Sequence, residues 1–457
     1  MILERIKSAG ISHNSYLVGA GSDAAVIDPR RDCQVYVNHA RQRGLRIKYI
    51  FETHRNEDFV IGSVELKNIT GAEIYHGPGL DWEYGNTLTE GQVFRMGDTR
   101  LTALHTPGHT GESMSYALAD LATGETPVAV FTGDTLFVGD VGRTDLHGPA
   151  EAPRLAADLY DSIVGKLLPL GDGVIILPAH GGGSVCGAHI ADREESTIGI
   201  EKTRNRALQL KSKDAFVKYK MAEKLEVPPY FKQMAKYNLE GPPLRGRLPW
   251  PPPLKPREFL TEMEKGAIVV DASDPAAFGG VHIKGSYSLW LEGLPNFAGW
   301  LLPYDKQVLL VLEAPSHLDR AVRYLFRAGY ERITGYLKGG IEAWYSSGLP
   351  VESMNLISVH QLKRALEQGE EMLILDVRGD EEWESGHLPG AKHIFVGHLE
   401  QRLSEVPKGK PVVAYCESGH RSGIAASILL RTGYPRVSNV PGSITAWKAA
   451  GFPIVKG

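Results

Sequence analysis

The sequence predicts an α/β protein of three domains, and three observations carry that reading. The chain has 457 residues, and roughly 150 residues make one domain. Short apolar runs alternate with helical stretches through the first half, and several runs end directly on polar residues. The second half repeats itself, with matching segments offset by 103 to 105 residues.

Composition narrows the function classes. Lys plus Arg number 50 and Asp plus Glu 54, a formal charge of -4. That near-balance gives no sign of a nucleic-acid binder or a polybasic membrane protein, so neither partner is expected. The 42% hydrophobic and 23% charged content is that of an ordinary globular chain. Cys33, Cys186 and Cys416 are three in number and far apart, which is no disulfide framework. A reducing, cytoplasmic compartment is the expectation. The first ten residues lack the apolar core of a signal peptide. No run reaches the ~18 apolar residues of a membrane span. Homo-oligomerisation is compatible with this composition and not required by it.

The first-half elements come in order. Residues 15–20 and 24–27 are apolar runs separated by Gly-Ser-Asp, a hairpin pattern. Residues 34–43 have helical spacing and stop at Gly44. Residues 47–52 read as a strand that delivers His54 at its end. Further strands are expected over 100–105, 114–119, 128–132 and 174–178, the last two running into Gly133-Asp134 and Ala179-His180. Polar groups at several strand ends converge on one sheet edge, a common place for an active site. Residues 190–240 read as helical and charged. A proline-dense stretch comes next, and the linker is set at 241–257, because such density continues neither a helix nor a central strand.

The duplication defines two more α/β domains, 258–350 and 356–457. Val270-Asp271-Ala272 matches Leu375-Asp376-Val377, and Val281 to Gly285 matches Gly386 to Gly390. Ala328-Gly329-Tyr330 matches Thr432-Gly433-Tyr434, and Gly340 to Trp344 matches Ser443 to Trp447. Each unit is longer than a solenoid repeat, so these are tandem domains.

Chemistry concentrates in two places. In the first domain (1–240), His54 opens His-Arg-Asn-Glu-Asp-Phe, His109 lies in Thr-Pro-Gly-His-Thr-Gly, Asp134 in Thr-Gly-Asp-Thr, and His180 in Pro-Ala-His-Gly. Imidazoles and carboxylates on glycine-rich turns after strands suit a metal. In this order and spacing they resemble the metallo-β-lactamase superfamily, which implies an αββα sandwich. The second histidine of the family motif is Asn56 here, and its fourth ligand position is Phe59. A dinuclear site loses a ligand on each metal. His54, His109 and Asp134 remain, the two-histidine, one-carboxylate set of mononuclear non-heme iron(II) oxygenases. Within the superfamily this retained subset is similar to that of persulfide dioxygenases. That resemblance implies one Fe(II) per chain on His54, His109 and Asp134. Asp58 and His180 would then orient ligands or bound water. A decayed, metal-free site is the bland alternative. The Gly142-Arg143-Thr144-Asp145 loop resembles that of persulfide dioxygenases and glyoxalase II. It offers Arg143 for a carboxylate of a thiol such as glutathione, or for a structural ion pair. Cys186, six residues beyond His180, stands either near the metal as a sulfur acceptor or as an inert buried thiol.

The second place is Cys416-Glu417-Ser418-Gly419-His420-Arg421-Ser422, between the apolar run 412–415 and a helical stretch 423–431. A strand, a loop opening with Cys and a helix N-terminus cradle a thiolate or persulfide. Arg421 adds a fixed charge. The loop, Leu375 to Arg378, Gly386 to Ala391 and Pro441 to Trp447 resemble the rhodanese sulfurtransferases. That implies Cys416 as nucleophile, Arg421 as catalytic support, and Glu417, Ser418, Gly419, His420 and Ser422 as a substrate cradle. Four residues separate Cys416 from Arg421, where a cysteine phosphatase needs five. In the preceding copy the matching position is Leu312, so that copy cannot carry a persulfide.

The reading implied is a persulfide dioxygenase domain joined to an inactive and an active rhodanese domain. Its partners are a low-molecular-weight thiol persulfide, O₂, and sulfite or thiosulfate. Two rivals are a glyoxalase II-like thioester hydrolase fused to rhodanese domains and a non-catalytic sulfur carrier in which only Cys416 works.

Overall fold

Period-2 apolar alternation in the first domain folds as two facing sheets. The computed structural model describes residues 1–456. Strands β1 (Ile2–Ser8), β2 (His13–Ala20) and β3 (Asp23–Ile27) pair antiparallel. Crossovers through α1 (Gln34–Gln42) and α2 (Ser63–Thr70) add β4 (Arg46–Phe51) and β5 (Glu73–His76) in parallel, and β6 (Asn86–Thr87) ends the sheet. The second sheet runs β7 (Val93–Met96), β8 (Thr99–His105), β9 (Met114–Asp120), β10 (Ala129–Gly133), β11 (Ile175–Pro178) and β12 (Ser196–Thr197) as neighbours in that order. Helix α3 (Ala152–Ser162) lies in the connection between the parallel strands β10 and β11.

Alternation along each strand separates two environments. Tyr16 and Val18 of β2 face Phe51, Leu101, Tyr116 and Phe131 in the core between the sheets. Leu17, between them in sequence, packs outward with Val26, Ile50 and Tyr36 of α1. Val130 and Ile176 do the same on the far face with Leu159 of α3 and Phe216. The result is an αββα sandwich.

The helical segment is three short helices, α4 (Ile198–Arg204), α5 (Lys213–Met221) and α6 (Phe231–Glu240). Thr197 and Ser212 cap the first two, accepting from the N–H groups of Ile200 and Ala215.

The proline-rich stretch is less of a spacer than its composition suggests. Pro243 O accepts from Arg31, and the Glu65 carboxylate accepts the N–H groups of Arg245 (3.0 Å) and Gly246 (2.7 Å). Pro253 and Leu254 form a strand, β13, and Pro256 opens helix α7 (Pro256–Glu264). A proline fits an edge strand, and at the first helical position its missing N–H loses nothing. The chain divides into two compact units, Met1–Leu248 with Arg327–Gly329, and Pro249–Phe326 with Tyr330–Gly457.

The second unit contains both copies. The first continues with β14 (Ile268–Asp271), α8 (Pro275–Gly280), β15 (Tyr287–Ser288), α9 (Leu294–Leu301), β16 (Val308–Val311), α10 (Leu318–Arg327), β17 (Ile333–Leu337) and α11 (Gly340–Ser346). The other is β18 (Asn355–Leu356), α12 (Val359–Glu367), β19 (Leu373–Asp376), α13 (Asp380–Ser385), β20 (Lys392–His393), β21 (Val412–Tyr415), α14 (His420–Arg431), β22 (Val437–Asn439) and α15 (Ser443–Ala449). Their sheets have the same all-parallel order, β13-β17-β16-β14-β15 and β18-β22-β21-β19-β20. Trp344 and Trp447 are both buried, each donating its indole N–H over 2.9 Å to a carbonyl, that of Pro350 or Pro453. Leu312 follows β16 as Cys416 follows β21. Among the described residues no helix is long and apolar enough to cross a membrane.

Candidate metal centre and cysteine loop

Sheet ends bring the first cluster together. His54 follows β4, His109 lies in the turn between β8 and β9, Asp134 follows β10 and His180 follows β11, and all four are buried. Asp134 Oδ2 lies 3.7 Å from His54 Nε2 and 3.5 Å from His109 Nε2. The outer nitrogens are committed elsewhere. His109 Nδ1 donates to the Arg143 carbonyl at 2.8 Å. His54 Nδ1 donates to Thr53 Oγ1 at 2.9 Å, and that hydroxyl donates to Asp28 at 2.7 Å. Each Nε2 therefore turns an acceptor lone pair inward, as a metal ligand must. His109 Nε2 has no hydrogen-bond partner in the protein. Burial pushes His54 down to about 3 against the pull of Asp134, and burial lowers His109 as well. Burial opposes ionisation of Asp134, but His180, His54 and His109 hold its carboxyl well below the usual range. Two imidazoles within 3.7 Å of one carboxylate oxygen are a donor set that suits a metal. Gly142 lets its turn come close, since a Cβ there would stand 2.0 Å from the Asp134 carbonyl oxygen.

His180 has a different position. Its Nδ1 lies 2.8 Å from Asp134 Oδ1 and its Nε2 lies 3.0 Å from Asp58 Oδ2. Burial alone would lower its pKa, but Asp134 and Asp58 hold it well above the usual value. Cys186 stands beside both groups. Donor atoms of Asp58, His180 and Cys186 lie within 4.8 Å of one another, as do those of His109, Asp134 and Cys186. Burial pushes the Cys186 thiol up. Glu57 makes a similar group with His54 and His109, and sequence reasoning passed over it. Its signal was its place inside the His54 motif. Burial raises its carboxyl to about 8, and Oε2 has no partner.

The two replaced ligands are built into the wall. Phe59 packs with Ile11 and Ile61, its ring 4.1 Å from that of His13. Asn56 turns its Nδ2 back to the His54 carbonyl at 3.2 Å.

Arg143 requires a correction. Its guanidinium does not reach for a substrate. It pairs with both oxygens of Asp145 (2.7 and 2.8 Å) and donates to the carbonyls of Val185, Leu225 and Glu226. The side chain is buried. Four fixed acceptors leave no face of the fork for a ligand. Arg143 serves the site through its backbone carbonyl, which orients His109.

The second site is the loop between β21 and α14. Cys416 is buried, its Sγ accepts the Gly419 N–H at 3.1 Å, and Ser422 Oγ lies 3.5 Å from it. Ser443 Oγ, 3.9 Å from the sulfur, also accepts the Cys416 N–H. Ser443 holds a φ of 43°, a left-handed backbone that few side chains adopt. Ser443 and Asn439, which accepts from Ser422 at 2.6 Å, belong to the cradle and were not picked out from sequence. Glu417 accepts from Thr445, and Ser418 Oγ lies 3.0 Å from His420 Nδ1. The fixed charge expected from Arg421 is shared. Its guanidinium makes a two-point pair with Glu382 at 2.5 and 2.6 Å. The neighbouring copy touches this loop. Trp290 lies 4.9 Å, ring to ring, from His420, and Asp274 Oδ2 lies 3.8 Å from its Nε2.

Sequence profiles match both halves. The metallo-beta-lactamase superfamily matches residues 9–180, and the rhodanese-like domain matches residues 255–347 and again 358–450. The chain belongs to the metallo-β-lactamase superfamily and carries two rhodanese-like domains. A sulfurtransferase of Allochromatium vinosum is 39% identical over 102 residues, 22% of this chain and 95% of that protein. The hydroxyacylglutathione hydrolase GloC of Haemophilus influenzae is 30% identical over 213 residues, 42% of this chain and 89% of that one. A crystal structure of a metallo-beta-lactamase from Staphylococcus aureus superposes with a TM-score of 0.66 at 30% identity, covering 74% of this chain and 98% of that one. That coverage extends beyond what the metallo-β-lactamase match alone occupies.

Proposed function

We propose that the metallo-β-lactamase domain oxygenates the persulfide of a low-molecular-weight thiol, and that the last rhodanese-like domain carries sulfane sulfur on Cys416. The observation that carries the first half is the set His54, His109 and Asp134 beside Asn56 and Phe59. The chain keeps these two imidazoles and the carboxylate and fills two of the other ligand positions, 56 and 59, with groups that bind metals poorly or not at all. An iron held there would supply the redox chemistry by which dioxygen oxidises sulfur. The chain's residues do the rest. Thr53 and the Arg143 carbonyl fix the imidazole tautomers, and His180 orients the Asp134 carboxylate. In net terms, a persulfide, O₂ and water give the thiol, sulfite and two protons.

In the last domain, the Cys416 thiolate would bond the terminal sulfur of a sulfane donor. The donor's S–S bond breaks and its remaining fragment leaves as a thiolate or as sulfite. The Gly419 N–H stabilises the sulfur anion before and after transfer. The 39% identity to a sulfurtransferase supports this half. Oxygen uptake by the full-length protein on adding glutathione persulfide, with sulfite as product, tests the reading.

One observation favours a second reading. Asp58, His180 and Cys186 form their own group beside the first, and a hydroxyacylglutathione hydrolase is a relative at 30% identity. Two metals at these groups would suit thioester hydrolysis. Elemental analysis distinguishes one iron per chain from two zinc ions.

A further inference from the structure

Helix α6 buries Phe231, Met234 and Asn238, a helical spacing whose last member is polar. Asn238 is 0% exposed. A buried amide at an apolar position is informative, and both ends of this one are engaged. Its Nδ2 donates to the carbonyls of Asn56 at 2.6 Å and Phe59 at 2.8 Å, and its Oδ1 accepts the Ile61 N–H at 2.9 Å. Three backbone groups within residues 56–61 thus close on a single side chain.

That loop is the one that lost its ligands. A metal-binding side chain at 56 or 59 would tie the loop to the metal. Asn56 instead turns back onto the His54 carbonyl, and Phe59 packs into the wall. Buried backbone groups still need partners, and Asn238 supplies them at these same two residues. Helix α6 is itself fastened beside the site. The Tyr84 hydroxyl lies 2.9 Å from the Asn238 carbonyl and 3.1 Å from Glu52 Oε1, two residues before His54. The Glu83 N–H donates to the Leu239 carbonyl at 3.1 Å. The helix lies outside the residues that match the superfamily, 9–180.

We propose that Asn238 is a positioning residue of the metal centre, holding the loop after His54 where ligation at 56 and 59 would otherwise fix it. Two of the three ligands depend on that loop. His54 opens it, and Asp58 within it lies 3.0 Å from Nε2 of His180, whose Nδ1 holds Asp134. This rests on a metal at His54, His109 and Asp134, and it holds for iron and zinc alike.

Amide hydrogen exchange and metal titration on the full-length protein test the proposal. Fe(II), under argon, and Zn(II) are each titrated against a competing chelator. Wild type is compared with Asn238→Ala and with Asn238→Leu, whose branched side chain has roughly the shape of the amide. In wild type the Ile61 amide should exchange slowly in chelator-treated and metal-loaded protein alike, since its acceptor is Asn238. In both variants exchange across residues 55–61 should rise about tenfold or more, and the metal should bind about 10–100-fold more weakly. A purely structural role lowers the unfolding midpoint and leaves metal affinity under native conditions unchanged, and that result overturns the proposal. So does a wild-type Ile61 amide that is protected only once metal is bound, an outcome that can be read even where neither variant folds. Equal affinity in all three proteins keeps the metal and removes Asn238. A wild type that binds neither Fe(II) nor Zn(II) removes the metal reading, and the positioning role with it.

Discussion

His180 Nδ1 lies 2.8 Å from Asp134 Oδ1, so a residue just beyond β11 orients the carboxylate just beyond β10. His180 meets the His54, His109 and Asp134 set through Asp134, and its other nitrogen lies 3.0 Å from Asp58 Oδ2. His180→Ala should therefore keep the iron site and weaken it about 10–100-fold, as lost orienting partners do. Asp134→Ala removes the anionic ligand and should empty it. Iron content at increasing chelator concentration distinguishes the two. An Asp134→Ala protein with full iron and full oxygen uptake would sink the ligand assignment.

Arg143→Ala should act on stability. It strips an ion pair buried on its arginine side and takes from the carbonyls of Val185, Leu225 and Glu226 the donor that Arg143 supplies. Breaking a buried pair from one side costs about 3–5 kcal/mol, discounted here because the Asp145 side chain is 37% exposed. Urea unfolding measures the loss. A variant of wild-type stability with only a raised KM would return Arg143 to the substrate.

These two residues show what the sequence displays and what it hides. Histidines and Asp134 at strand ends are legible because a strand fixes both the place and the direction of the residues just beyond its end. Asp145, the ion-pair partner of Arg143, is two residues away and could be guessed. The Leu225 and Glu226 carbonyls are more than eighty residues away and could not. His13 meets His180 only because β2 and the end of β11 come into a bridge, which no local pattern announces. The duplication was plain because Trp344 and Trp447 close their copies in the same way. The role of Ser443 was not, since it depends on one left-handed backbone angle.

Cys416→Ser should abolish sulfur transfer and leave oxygen uptake with glutathione persulfide largely intact. Serine is nearly isosteric, so the Gly419 N–H keeps an acceptor, but an alkoxide is inaccessible near neutral pH. His54, His109 and Asp134 all lie in the first unit and the cysteine loop in the second. Both rates are read on one preparation of unchanged iron content. A parallel fall in both would show that the two chemistries are obligately coupled.

Asp271 offers a test in the copy that has Leu312 in place of the cysteine. Its counterpart Asp376 pairs with Arg378 at 2.7 Å, but the residue matching that arginine is Ser273. Burial raises Asp271 to about 6, with the Ser273 hydrogen bonds opposing. A carboxyl raised in the folded state gives stability that is present below its unfolded pKa of about 3.9 and lost as pH rises through 6. Asp271→Asn should match wild type near pH 4 and exceed it by up to about 3 kcal/mol at pH 7. Thermal midpoints at the two pH values measure this. A difference between variant and wild type that does not grow with pH would contradict the assignment.

The most direct measurement is oxygen consumption by the iron-loaded full-length protein supplied with glutathione persulfide, with iron and zinc counted on the same sample. One iron per chain, oxygen uptake and sulfite in equal amount to the oxygen consumed are the predicted result. No uptake, together with two zinc ions per chain and hydrolysis of a glutathione thioester, would contradict it.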